Sequence, residues 1–189
     1  MGGIDKALIE LAGETLLARS IAGLASQCRS LLLSTNGDVS RYATFGIPVV
    51  ADKSATQEGP LAGLLAALDH VAVQGDADFV VSAPVDTPFL PGDLVGRLHA
   101  ARATNDVAIA VAASGDRMHH AVALWPIAIL EDMRTAFAGG ARSVGRFTAT
   151  RRVVRVEWPV VPSDPFFNIN TTDDLATAED IIRRGESGR

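Results

Sequence analysis

"ADFVVSAPVDTPFL", Ala77 to Leu90, is the stretch from which the fold is read. Five of the seven residues from Ala77 to Ala83 are apolar, the pattern of a buried strand. Pro84 ends the run, Asp86 stands two residues on, and Pro88 follows. A carboxylate is thereby held just past the carboxyl end of a strand, between two prolines that fix φ.

The flanking segments alternate between helical and strand patterns. "GETLLARSIAGLASQC" has apolar residues at helical spacing and runs into "SLLLST", read as a short buried strand. "FGIPVVAD" is the next strand, ending at Asp52, and "GPLAGLLAALDHV" is a helix with Pro60 in its first turn. After the opening strand come the helix "PGDLVGRLHAARA" and the strands "DVAIAVAAS" and "HHAVALWP". "IAILEDMRTAFA" and "SVGRFTAT" are helices, and "RRVVRVEW" alternates basic and apolar residues as a half-exposed edge strand does. A final helix starts at Thr171 with Asp173 and Asp174 in its first turn. Strands alternating with helices predict one α/β domain, Rossmann-like, with a mostly parallel sheet covered on both faces.

The totals narrow the function. A chain of 189 residues is long enough for a full core, and 48% apolar with 21% charged residues is a globular composition. The net charge of −5 argues against a nucleic-acid-binding surface, which usually carries a basic excess. The single cysteine, Cys28, excludes an internal disulfide and a cysteine-based zinc site, and is read as a buried structural thiol. There is no signal-like or membrane-spanning run, so the expected location is the cytoplasm.

In such sheets ligands collect beyond the carboxyl ends of the strands. Asn36, Asp52 and Asp86 each follow one strand and converge on that edge. A carboxylate held as Asp86 is suits Mg²⁺, which takes one or two carboxylates together with substrate phosphates. Lys6, beside two glycines, suits phosphate oxygens as a point charge. Gly59 and Gly63 allow close approach of backbone to a flat base.

"MGGIDKALIEL", "GPLAGLLAAL", "APVDTPFL" and "FFNINTTDDL", in this order and at these separations, resemble the molybdenum cofactor guanylyltransferase family. The resemblance runs from Met1 to about Arg184. It implies a fold of the nucleotide-diphospho-sugar transferase type and transfer of GMP from GTP to molybdenum-bound molybdopterin, with pyrophosphate leaving. It also implies roles: Lys6 on the GTP phosphates, Asp52 and Asp86 on the nucleotide, and Asp86 on Mg²⁺. Gly59 to Gly63 would line the guanine pocket, and Asn168 and Asn170 would lie near the pterin or metal. Molybdoenzyme-maturation proteins are the expected partners, with no nucleic acid and no membrane.

The chain departs from the family pattern in three places. Family members open with a strand and a Leu-Ala-Gly-Gly loop; here the sequence starts at "MGGIDK", and the expectation is a start upstream of Met1. Loss of that central strand would leave its neighbours with unpaired backbone groups. Ser34 stands where an asparagine is usual, with Asn36 retained. His120 replaces a usual proline; as neighbours on a strand, His119 and His120 point to opposite faces and are read as one solvated and one packed. Residues 186–189 are read as a disordered tail. The rival readings are a cytidylyltransferase or another nucleotidyltransferase of this fold, and a non-catalytic cofactor- or partner-binding protein.

Overall fold

The computed structural model describes residues 5–51, 59–105 and 109–185. The predicted tail and Asp52 lie outside the described residues. A short hairpin opens the chain, β1 (Glu10–Leu11) and β2 (Glu14–Thr15), turning at Ala12 and Gly13, both at positive φ. The helix α1 (Leu16–Ala25) starts where the Thr15 hydroxyl accepts from the Ala18 N–H. Then come β3 (Leu33–Thr35), β4 (Val49–Ala51), α2 (Pro60–Gln74) and β5 (Phe79–Ser82). The second half is α3 (Leu94–Asn105), β6 (Ile109–Ser114), β7 (Arg117–Pro126), α4 (Leu130–Ala138), α5 (Val144–Thr148), β8 (Val153–Trp158) and α6 (Thr172–Arg183).

This is the α/β architecture the sequence implies, and its sheet is mixed. β3–β4 and β6–β8 are parallel, whereas β5–β7 and β6–β7 are antiparallel. The reason lies between "DVAIAVAAS" and "HHAVALWP": only Gly115 and Asp116 separate β6 from β7. A two-residue Gly-Asp loop closes a hairpin, and a hairpin is antiparallel by construction.

Alternation along the central strands divides the core. Val111, Ala123 and Trp125 pack with Leu61, Leu68, Met133 and Phe147 of α2, α4 and α5 on one face. Ala110, Ala112 and Leu124 pack with Leu94, Leu98 and Phe166 on the other. Helices thus cover both faces of the four-stranded sheet β5-β7-β6-β8. The charged strand β8 forms its edge, as the alternation of "RRVVRVEW" predicts.

The first two strands read from the sequence are less buried than expected. β3 and β4 form a separate two-stranded sheet, and between β3 and β5 lies a cleft of about 970 Å³. Every residue of β5 is only half-buried, and in "SLLLST" only Leu33 is buried. Apolar content identifies both as strands correctly; their low burial reflects that, among the described residues, no strand pairs with the edges they turn toward the cleft. Cys28 lines the same cleft and is half-buried rather than enclosed, with burial still pushing its thiol pKa up.

Candidate active site

The polar edge is built from three separate loops. In the first, Asp5 caps a single 3₁₀ turn, Lys6–Leu8, its Oδ1 accepting from the Ala7 N–H at 3.1 Å. Its Oδ2 accepts from the Tyr42 hydroxyl at 2.7 Å and pairs with Arg41 at 3.0 Å. Asp5 therefore anchors the turn that aims Lys6.

The second loop carries Asp86. The Thr87 N–H bonds to the Pro84 carbonyl at 3.2 Å, closing a tight turn after β5. The third loop precedes α6, where Thr171 and Asp174 form a reciprocal capping box. Asp174 Oδ2 also accepts from the Asn170 N–H at 2.9 Å and the Thr171 N–H at 2.8 Å. These backbone donors hold the Asp174 carboxyl below the usual carboxylate range. The Ile169 N–H donates to the Asp86 carbonyl at 2.9 Å, so the second and third loops are stitched together.

Lys6 joins all three. Its Nζ donates to Asp86 Oδ2 at 2.8 Å and to Asn170 Oδ1 at 2.5 Å. Asn170 in turn donates to Asn168 Oδ1 at 3.3 Å. Residues 80 and 164 positions from Lys6 in sequence are thus one hydrogen bond away. Asp86 is 15% exposed, and its second oxygen, Oδ1, is buried with no hydrogen-bond partner among the described residues. A buried, ionised oxygen without a donor is costly unless a cation or ligand meets it.

Ser34, Asn36, Gly59 and Gly63 line the cleft together with Asp86. Ser34 Oγ is likewise buried without a partner among the described residues. A side chain at Gly63 would place Cβ 3.1 Å from that oxygen, so glycine there makes room for Ser34. Gly59 precedes α2 at φ +83°, and a Cβ would lie 2.7 Å from the Arg142 carbonyl oxygen. Only glycine suits both the φ and the approach. Of the residues singled out in the sequence, Lys6, Asp86, Asn168 and Asn170 form one cluster, and the other four described ones share its cleft. The positioning residues Asp5, Tyr42 and Asp174 were not among them, although Thr171 and Asp174 carry a visible capping pattern.

The two histidines point to opposite faces, but neither is solvated. His119 Nε2 bonds to Ser114 Oγ at 2.7 Å and its ring lies 4.8 Å from Phe166. His120 Nδ1 bonds to Thr148 Oγ1 at 2.8 Å, on α5. Both are half-buried because β7 is an interior strand with both faces covered. Burial lowers the His119 pKa, a lowering reinforced by Arg117 and His120 and opposed by Asp164 and Glu157. The unfolded chain titrates near about 6.5 and takes up a proton that folded His119 resists. Its contribution to stability is therefore intact above that value and declines as pH falls toward the lower folded value. His119→Gln is expected to flatten the fall in urea midpoint between pH 7 and pH 5; an unchanged slope removes His119 as its source.

Among the described residues no cluster of three or more His, Cys, Asp or Glu side chains forms a metal cage. The same residues include no helix long and apolar enough to cross a membrane. Residues 1–155 match the MobA-like NTP transferase domain. The molybdenum cofactor guanylyltransferase of Rhodopseudomonas palustris strain BisB5 is 54% identical over 186 residues, covering 97% of this chain and 89% of that protein. That of Bradyrhizobium strain ORS 278 is 50% identical, covering 95% and 85%. The crystal structure of molybdopterin-guanine dinucleotide biosynthesis protein A from Archaeoglobus fulgidus superposes with a TM-score of 0.74 at 20% identity, over 96% of this chain and 92% of that one. The 2-C-methyl-D-erythritol 4-phosphate cytidylyltransferase of Thermus thermophilus shares the fold at a TM-score of 0.68 and 20% identity, over 94% of each. With the family pattern spanning most of its length and half its residues shared with such relatives, the chain belongs to the MobA-like NTP transferase family.

Proposed function

We infer that this protein transfers GMP from GTP to molybdenum-bound molybdopterin, releasing pyrophosphate and forming the guanine dinucleotide cofactor. The observation that carries the reading is Lys6 bridging Asp86 and Asn170, which assembles three separated motifs at the strand-end edge. The relatives that share half of its residues bear the name of this activity.

A terminal phosphate oxygen of the pterin substrate forms a bond to the α-phosphorus of GTP. The bond from that phosphorus to the bridging oxygen breaks, and its electron pair leaves with pyrophosphate. The attacking oxygen is already anionic, so no protein nucleophile or base is required. Lys6 contributes a fixed positive charge where charge accumulates on the departing phosphates. Asn168 and Asn170 offer amide donors and acceptors to the pterin side. Ser34, Asn36 and the Gly59–Gly63 turn face the nucleotide base.

The buried, unpartnered Oδ1 of Asp86 fits a hard divalent cation such as Mg²⁺. Such a cation, held by Asp86, would supply charge neutralisation to the triphosphate. Asp86 and substrate oxygens would hold it. The reaction is read as cytoplasmic, with the finished cofactor passing to maturation proteins.

The test is a competition among nucleotides. Purified protein with molybdenum-loaded molybdopterin and Mg²⁺ is offered GTP, CTP, ATP and UTP, and the dinucleotide is identified by mass. GTP is expected to be used at least ten times faster than the others. Preferential use of CTP replaces the guanylyl assignment with a cytidylyl one, and the absence of any dinucleotide product favours a binding protein.

A further inference from the structure

Tyr42 belongs to a 3₁₀ segment, Val39–Phe45, that follows closely on β3 and Asn36. Asp38 starts the segment, its side chain accepting from the Ser40 N–H at 2.9 Å. Tyr42 is 3% exposed, and its ring packs in a cluster with Ala7, Leu17 and Leu33. A phenol buried in this way needs a partner for its O–H. Here the partner is Asp5 Oδ2 at 2.7 Å, an oxygen that also pairs with Arg41. Both side chains that meet this oxygen therefore come from the segment after Asn36. Burial and then the Asp5 carboxylate raise the Tyr42 pKa, opposed by Thr35 and Arg41, so the phenol keeps its proton and donates.

Asp5 in turn shapes the turn that carries Lys6. Its Oδ1 accepts from the Ala7 N–H, and its carbonyl accepts from the Leu8 N–H at 3.1 Å. Asp5 and Lys6 are adjacent, so a displacement of the Asp5 carboxylate is passed directly to Lys6. On the other side, the loop of Asn36 folds over the phenol. A Cβ on Gly37 would lie 3.4 Å from Thr35 Oγ1 and 3.8 Å from the Tyr42 hydroxyl oxygen. The Gly37 N–H also donates to Thr35 Oγ1 at 3.0 Å. One hydroxyl thus stands between the Asn36 loop, which lines the cleft, and the Lys6 turn, which reaches Asp86.

We propose that Tyr42 is a positioning residue that sets the spacing between the base-side loop of Asn36 and the phosphate-side turn of Lys6. The inference rests on the roles given to Asn36 and Lys6 in the proposed function. GTP joins base and triphosphate by covalent bonds, so the groups that hold its two ends must keep a set separation. Tyr42 does not line the cleft itself and acts through these neighbours. The consequence is selective. Loss of the hydroxyl leaves each end of the nucleotide its own contacts and harms only a ligand that spans both.

The variant is Tyr42→Phe, which keeps the ring in its apolar cluster and removes only the donor. Calorimetric titrations in Mg²⁺ compare GTP, which spans both ends, with inorganic tripolyphosphate, which meets one. GTP is expected to bind about tenfold more weakly than to the unaltered protein, and tripolyphosphate to change by no more than about twofold. In a Lys6→Met background the same substitution should weaken GTP by no more than about twofold, because the spacing to Lys6 no longer matters. Equal losses for both ligands, an unchanged GTP affinity, or the full loss repeated in Lys6→Met overturns the proposal. A dinucleotide assay beside the titrations keeps the transfer reaction separate. Unaltered protein that binds GTP but forms no product refutes the transfer and leaves the two affinities to decide on Tyr42; no binding of GTP refutes both.

Discussion

Asp86→Asn is expected to lower turnover about a thousandfold, roughly 4 kcal/mol of barrier. The substitution keeps the shape of the side chain and an oxygen for Lys6, but removes the negative charge. Oδ1 is buried and has no hydrogen-bond partner among the described residues, and the proposed metal role rests on that oxygen. Asparagine offers that cation a neutral oxygen or an N–H, and the loss should appear both in kcat and in a raised Mg²⁺ requirement. Stability should change little, because the exchange removes the repulsive burial of an ion along with its pairing to Lys6. Pyrophosphate release measured across a Mg²⁺ series, with melting temperature in parallel, separates these effects. Turnover and Mg²⁺ dependence equal to those of the unaltered protein would refute the metal role.

Asp86 was legible in the sequence because its neighbours are local. A strand run and two flanking prolines lie within fourteen residues, and together they place a carboxylate at a strand end. The contacts that complete the site are not local. Lys6 reaches Asn170 beside the point where the Asp86 carbonyl receives the Ile169 N–H, a pairing that no periodicity predicts. Ser34 and Gly63 were singled out separately, yet their complementarity depends on β3 and α2 packing side by side. The same limit explains the burial of β5. Alternation and composition identify a strand, whereas burial depends on what lies across from it, and across from it is a cleft. The antiparallel β6–β7 pair, by contrast, was readable from the Gly115–Asp116 loop; it sets β7 alone against β5, β6 and β8, which run the same way.

Lys6→Met should lower kcat/KM for GTP by about a hundredfold to a thousandfold, the range for removing one charge-stabilising donor from a site of developing anionic charge. Methionine retains an unbranched apolar stem and loses only the ammonium. Lys6 is 34% exposed and Asp86 15%, so the ion pair lies between the surface and buried limits. Its loss should cost no more than about 1–2 kcal/mol of stability. The two variants should differ in their response to metal. With the ammonium gone, both oxygens of Asp86 are free, and Mg²⁺ should bind the nucleotide-free protein at least as well as before. In Asp86→Asn it should bind more weakly. Nucleotide binding should weaken in both. On the proposed reading Lys6 and Asp86, 2.8 Å apart, serve the same phosphates, so the double variant should be scarcely slower than Asp86→Asn alone. Calorimetric titration with Mg²⁺ and steady-state rates for the full cycle provide the test. Lys6→Met turnover within threefold of the unaltered protein, or losses that multiply in the double variant, would mean that Lys6 positions the loops without acting on the phosphates.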